Sequence, residues 1–265
     1  MSVEPLQARR ARVGKLSLEV YPTAKLMGQS AAMATASEMI RLGQANETIP
    51  AIFATGASQL ETLDALTSIP DLPWEKVVGF HLDEYVGLPI EHGASFRGYL
   101  RRNLTEKVRM KAFCEIDGTA SDLTAAIDEY ARLLEEAQPQ FCMLGIGENG
   151  HLAFNDPGVA DFHDPLAVKA VVLDDACRAQ QVGEGWFSGA AEVPRQAITL
   201  TIPVILKVPR LIVSVPGRRK AAILRRALEE EISPVCPATI LREHSGTTIF
   251  TDEEGAWELG DLKWS

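Results

Sequence analysis

The sequence predicts a three-layer α/β domain in which a central, mainly parallel sheet is flanked by helices. Short apolar runs alternate with segments of helical period through most of the 265 residues, as successive βαβ units require. A hydrophobic content of 46% is enough to bury a substantial core. A histidine and a carboxylate lie on a glycine-hinged turn directly after one apolar run, where open α/β sheets keep their chemistry. The length suits one large domain, so residues 1–265 read as a single unit.

In chain order, Ala24 to Leu42 reads as a helix and Ala51 to Ala54 as a strand. A small-residue turn comes next, then a helix from about Gln59 to Leu66. The strand Val77 to Leu82 runs into two adjacent acids. Between Ser121 and Ala137, Leu123, Ile127, Tyr130 and Leu134 recur at helical spacing, with Ser121 placed to cap the start and Asp128, Glu129, Arg132 and Glu135 left for water. Phe141 to Gly145 is the strand that carries the histidine turn. The stretch from Gly158 to Pro194 is the least regular and reads either as a surface excursion or as a loop over a ligand, with one strand, Val168 to Leu173, inside it. Leu211 to Val215 is the last clear strand, and Pro216-Gly217 opens a helix from Arg218 to Glu230.

A net charge of -10 argues against a nucleic-acid or membrane-surface partner, because both need a basic face. The basic cluster from Arg9 to Lys15 is not followed by an apolar signal region, and no stretch of about 18 apolar residues occurs. The chain therefore reads as soluble and cytoplasmic. Cys114, Cys142, Cys177 and Cys236 are widely spaced, with no C-x-x-C and no histidine at ligand spacing, which suggests neither a zinc site nor a disulfide framework.

The segment Gly145-Ile146-Gly147-Glu148-Asn149-Gly150-His151-Leu152-Ala153-Phe154-Asn155-Asp156-Pro157 contains G-x-G-x-x-G, so a dinucleotide site has to be weighed first. Such a site needs a helix immediately after the third glycine, whereas Asn155-Asp156-Pro157-Gly158 is turn chemistry. Asp174 and Asp175, near where a ribose-binding acid would stand, are the one point in the rival's favour. His81, His92, His163 and His244 carry no functional signal, but His151 has Asp156 close behind it to fix its tautomer. Asp83 and Glu84 end a strand, and because neighbours on an extended chain point oppositely, only one of them faces a ligand. Thr55, Gly56, Ala57 and Ser58 form a strand-turn-helix corner whose free N–H groups attract phosphate, with hydroxyls from Thr55 and Ser58 in support. Lys220 lies in the first turn of a helix, where the dipole is positive, and needs an anion beside it. Arg218 and Arg219 read as solvated charges.

Leu82-Asp83-Glu84-Tyr85-Val86-Gly87-Leu88-Pro89, the Gly-Glu-Asn-Gly-His segment, Val193-Pro194 before Ala197-Ile198-Thr199-Leu200, and Gly217-Arg218-Arg219-Lys220 together resemble the glucosamine-6-phosphate deaminase (isomerase) family, in the group that also holds the 6-phosphogluconolactonases. The likeness runs from about Ile49 to Arg242. It implies a Rossmann-like fold, a small sugar phosphate as partner, and no cofactor or metal. By the same resemblance Asp83 moves a proton between sugar carbons 2 and 1, His151 opens the ring with Asn149 and Asp156 as its partners, and Lys220 contacts the phosphate. Family members are often homo-oligomers, but no heptad or long apolar edge specifies a count here. Asn149 stands where an acid is common, Asp156 is one methylene shorter than the usual Glu, and Ala57 replaces a second glycine. Lactone hydrolysis, a related sugar-phosphate isomerisation and a sugar-phosphate sensor without catalysis stay open at this point, although the lactonases usually carry Asp-Glu-Arg where this chain has Asp83-Glu84-Tyr85.

Overall fold

The computed structural model describes residues 8–183 and 185–260. An antiparallel hairpin, β1 (Arg9–Val13) and β2 (Leu16–Tyr21), comes first, formed by the basic cluster and the residues after it. Helix α1 (Ala24–Ala45), capped by the Thr23 hydroxyl accepting the Leu26 N–H at 3.2 Å, leads to β3 (Ile49–Phe53). Next come α2 (Leu60–Thr67), β4 (Val77–His81), the short β5 (Asp83–Tyr85), α3 (Phe96–Leu100) and β6 (Ala112–Phe113). Helix α4 (Leu123–Ala137) returns the chain to β7 (Phe141–Gly145). Beyond the histidine turn lie β8 (Val168–Val172), α5 (Asp175–Gly183), β9 (Gln196–Leu200) and α6 (Ile202–Lys207). The last three elements are β10 (Arg210–Ser214), α7 (Ala221–Glu229) and β11 (Thr247–Asp252).

Among the described residues the main sheet has eight strands in the order β1-β2-β11-β10-β7-β3-β4-β6. All its pairings are parallel except that of β1 with β2. The period of two along each strand makes the layers. On β7, Phe141 and Met143 pack with Met27 and Met39 of α1 and Leu63 of α2, while Cys142 and Leu144 pack on the opposite face with Tyr130 and Leu134 of α4 and Ile223 and Leu224 of α7. Among the described residues no helix is long and apolar enough to cross a membrane.

Three expectations need correction. Val168 to Leu173 is a strand, but β8 lies outside the parallel sheet, in a three-stranded antiparallel sheet ordered β5-β9-β8. Its burial explains this: Val171 and Leu173 are buried while Ala170 and Val172 on the alternate face are exposed, the one-sided pattern of a sheet with a solvated face. The cap of α4 is Asp122, whose carboxylate accepts the Ala125 N–H at 3.0 Å, one residue beyond the expected Ser121. Within the irregular Gly158 to Pro194 stretch, Asp174 opens a helix, its carboxylate accepting the Cys177 N–H at 2.7 Å. Asp174 is thus a helix cap and no ribose ligand, and no helix starts after Gly150 as a dinucleotide site would require.

His81, the last residue of β4, ties the parallel sheet to β5. Its Nε2 accepts the Ile116 N–H at 2.7 Å, so the proton lies on Nδ1, which donates to the Asp83 carbonyl at 3.0 Å. The ring is fully buried, and desolvation pulls its pKa down to about 4. A folded-state pKa below the unfolded value of 6.5 means that the unfolded chain binds the extra proton, so this contribution to stability is present above pH 6.5 and lost as pH falls toward 4. The unfolding free energy should drop by up to about 1.4 kcal/mol per pH unit across that window. Urea unfolding of a His81→Gln variant at several pH values should show this component of the slope gone, and an unchanged slope would exclude His81 as its source.

Candidate active site

From β3 the chain moves outward to β4 and β6, whereas from β7 it moves the other way to β10 and β11. The loops leaving neighbouring β3 and β7 therefore diverge, and such a switch point leaves a crevice at the carboxyl ends of the strands. A cavity of about 420 Å³ occupies it, within the usual size of a small-molecule site. It is lined by the loop after β3, by Asp83, by the turn after β7, by the loop after β10, and by Gln181 and Trp186 from α5 and the residues after it.

The turn after β7 is built to present His151. The Gly150 N–H donates to the Gly147 carbonyl and the Gly147 N–H to the His151 carbonyl, both at 3.0 Å, which folds the imidazole back over Gly147. A Cβ on Gly147 would lie 2.1 Å from the ring Nε2, so this approach requires glycine. Asn149 Oδ1 accepts the His151 backbone N–H at 3.0 Å, and Asn149 Nδ2 donates to Asp156 Oδ1 at 2.7 Å. The same oxygen lies 3.0 Å from His151 Nδ1. The shorter aspartate thus reaches the ring despite its missing methylene. Burial alone would raise the Asp156 carboxyl, but the bonds and charge of His151, with Asn149 and the Cys177 thiol, outweigh it and hold the group below the usual carboxylate range. The ionised carboxylate selects the tautomer with the proton on Nδ1 and leaves Nε2 as the basic nitrogen. Asn149 and Asp156 do not line the cavity; they stand behind His151. Buried Asn155 locks the far end of the turn, its Nδ2 donating to the Leu152 and Leu200 carbonyls, both at 2.8 Å. Between them Ala153 takes φ 53° and lines the cavity, a left-handed backbone uncommon for a non-glycine residue.

The acid pair divides as strand geometry dictates. Glu84 is fully buried and accepts from the backbone N–H groups of Tyr85, Phe96 and Arg97 and from the Ser95 hydroxyl, with the Arg97 guanidinium 3.4 Å away. Asp83 points to the other side and into the cavity. Desolvation, reinforced by the charges of Glu84 and Asp156, pushes the Asp83 carboxyl well above its ordinary range.

Opposite these groups two loops start alike. Gly56 (φ 97°) and Gly217 (φ 87°) take left-handed conformations, and their carbonyls accept the N–H groups of Gln59 and Lys220, both at 3.0 Å. Each winds a short 3-10 turn, Ala57–Gln59 and Arg218–Lys220, leading into α2 and α7. Thr55, Gly56, Ala57, Ser58 and Lys220 all line the cavity, so free amide groups, hydroxyls and an ammonium meet at one end of it. Arg218 and Arg219 are largely exposed as expected, but both also line the cavity: Arg219 pairs with Glu148 at 3.0 Å, and Arg218 lies 3.7 Å over the Trp257 ring. Among the described residues no group of three or more His, Cys, Asp or Glu side chains is placed to hold a metal ion.

Sequence reasoning missed Gln181, Trp186 and Glu148. The first two come from the irregular stretch, where no motif marks them, and Gln181 is held by the Tyr85 hydroxyl donating to its Oε1 at 2.7 Å. Glu148 lay inside the motif beside better-marked neighbours.

Residues 22–250 match the family model described as glucosamine-6-phosphate isomerases/6-phosphogluconolactonase. A glucosamine-6-phosphate deaminase of Streptococcus uberis is 32% identical over 206 residues, covering 78% of this chain and 86% of its own. One from Staphylococcus epidermidis is 36% identical over 185 residues, covering 68% and 74%. A solved monomeric glucosamine-6-phosphate deaminase superposes with a TM-score of 0.82 at 28% identity, over 91% of this chain and 99% of that one. The 6-phosphogluconolactonase of Thermotoga maritima gives 0.73 at 18% identity, over 90% and 100%, which is a likeness of fold.

Because the obstacle to a side chain at position 147 is a movable ring, Gly147→Ala should leave the molecule folded and drive the imidazole off Asp156. Its downfield Nδ1–H proton resonance should disappear from the NMR spectrum while the melting transition persists. A retained resonance would show that the ring does not rest on Gly147.

Proposed function

The chain belongs to the glucosamine-6-phosphate isomerase/6-phosphogluconolactonase family, and from that premise we propose that it is a cytoplasmic glucosamine-6-phosphate deaminase of amino-sugar catabolism, with the whole chain forming one such domain. It converts glucosamine 6-phosphate and water to fructose 6-phosphate and ammonia. The observation that carries this reading is that a buried carboxylate, Asp83, and His151, backed by Asp156, open onto the same cavity as the Gly56 and Gly217 loops.

The phosphate sits on the amide groups of residues 56–58 with the hydroxyls of Thr55 and Ser58 and the ammonium of Lys220. His151 Nε2, basic because Asp156 holds the proton on Nδ1, takes the anomeric hydroxyl proton and returns it to the ring oxygen, giving the open aldehyde. Asn149 acts through its hydrogen bonds to the His151 backbone and to Asp156, which needs no charge on its side chain. Asp83 then removes the proton on carbon 2, and the resulting enolamine takes a proton at carbon 1 to give the imine at carbon 2. Water adds to that carbon and ammonia leaves. A carboxylate whose pKa is raised by burial is a stronger base than a solvated one. Lactone hydrolysis needs an activated water and no carbon-2 base; since the lactonases share the aspartate at position 83, it is Tyr85, where they usually carry Arg, and the likeness to deaminases at 32–36% identity that favour the deaminase.

Ammonia release from glucosamine 6-phosphate is the deciding assay; turnover of 6-phosphogluconolactone without ammonia would replace this reading with the lactonase, and binding without turnover would replace it with a sensor. Asp83→Asn should abolish turnover while leaving phosphate-ester binding largely intact, and retained turnover would remove its role. Lys220→Ala should raise KM about tenfold or more with a smaller loss in kcat, as for a remote group that binds ground and transition states alike. An effect on kcat alone would contradict the phosphate assignment. The acid limb of kcat/KM should lie above the ordinary carboxylate range because Asp83 must be ionised to act.

A further inference from the structure

Asp156 has two carboxylate oxygens, and its own turn uses one. Oδ1 serves His151 and Asn149. Behind it lies a second crevice of about 140 Å³, lined in part by Asp156, Val172, Asp174 and Cys177. There the Cys177 thiol donates to Asp156 Oδ2 at 3.5 Å, and among the described residues it is the one hydrogen-bond donor to that oxygen. The thiol is no chance neighbour. It is buried in the first turn of α5, where the Asp174 cap fixes the Cys177 backbone N–H, and the same helix carries Gln181 to the wall of the main cavity.

We infer that Cys177 is a positioning residue for the His151–Asp156 pair, its thiol holding the back of the carboxylate so that the front oxygen stays directed at the imidazole. The physical argument is one of satisfaction and leverage. A buried carboxylate oxygen without a donor carries a desolvation penalty and is free to turn toward any other partner. Donating to Oδ2 keeps Asp156 ionised and fixes its plane, and the plane decides whether Oδ1 can accept from His151 and Asn149 together. The groups that face Asp156 are His151 and Asn149 from its own turn, Asp83 from β5, and Cys177 and Asp174 from the start of α5. The other carboxylates repel its charge, so the thiol opposes them. The inference rests on the proposed reaction only for its kinetic consequence.

The test compares Cys177→Val, of similar volume without a donor, with Cys177→Ser, which restores one; Cys177→Ala substitutes for the valine variant should that fail to fold. The Asp156 carboxyl carbon is titrated by NMR in the ligand-free protein. The valine variant should titrate higher by on the order of 0.5 pH unit, the loss of one weak donor, with the serine variant close to the parent. With glucosamine 6-phosphate, kcat/KM of the valine variant should fall about threefold to tenfold, with recovery in serine, while the acid limb, set by Asp83, stays in place. A valine titration superimposable on the parent overturns the inference, and so does an equal shift in valine and serine, which would make volume the cause. If the parent releases no ammonia, the deaminase reading fails while the NMR comparison still decides the role of Cys177.

Discussion

The Asp83 wall of the cavity is referred to one buried carboxylate. Glu84 gives up all contact with water and collects donors from three backbone N–H groups, the Ser95 hydroxyl and Arg97, which in turn bridges to Asp117 at 2.8 Å. Such an arrangement adds little net stability, because desolvating the charges offsets most of their attraction, but losing either partner would leave an uncompensated charge in the interior. Its effect is positional. With Glu84 anchored on one side of β5, the alternation of the strand obliges Asp83 to face the other side, in a medium dry enough to make it a better base. His81 secures the same point from the preceding strand through its bond to the Asp83 carbonyl.

This division of labour recurs around the site: a polar residue outside the cavity fixes one inside it. Asn155 fastens the histidine turn to β9, and Asn149 and Asp156 orient the imidazole without lining the cavity. Gln59 donates to the Leu144 carbonyl at 3.1 Å and Thr62 lies 3.1 Å from Ser214, so the start of α2 is moored to β7 and to β10 at once. The side chains that line the cavity stand on loops leaving the strand ends, and these buried polar groups hold the loops in place.

The sequence was legible where chemistry and local geometry coincide. A Gly-Asn-Gly-His turn ending an apolar run, acids at a strand end and a lysine in a first helical turn each break a local rule, and each lies where those rules indicate. Strand pairing was less legible. Val168 to Val172 reads as apolar whether its neighbours are parallel or antiparallel, and β11, Thr-Thr-Ile-Phe-Thr-Asp, is buried throughout despite its polar letters. Ser121 and Asp122 are both good caps, and only the backbone angles select between them. The contributions of α5 were hidden for a different reason. A nine-residue helix is too short for a firm period, and what Gln181 and Cys177 touch is set by residues far along the chain.

The order β10-β7-β3 at the middle of the sheet has a kinetic meaning as well. The loops that meet in the crevice leave adjacent strands that are remote in sequence, so the entropy of closing long stretches of chain must be overcome before any two of them become neighbours. The crevice therefore cannot form before the central strands have paired across those long stretches of chain. The same adjacency makes the shape of the crevice a property of the central strands as a unit, since parting β3 from β7 or β7 from β10 would separate the loops that wall it.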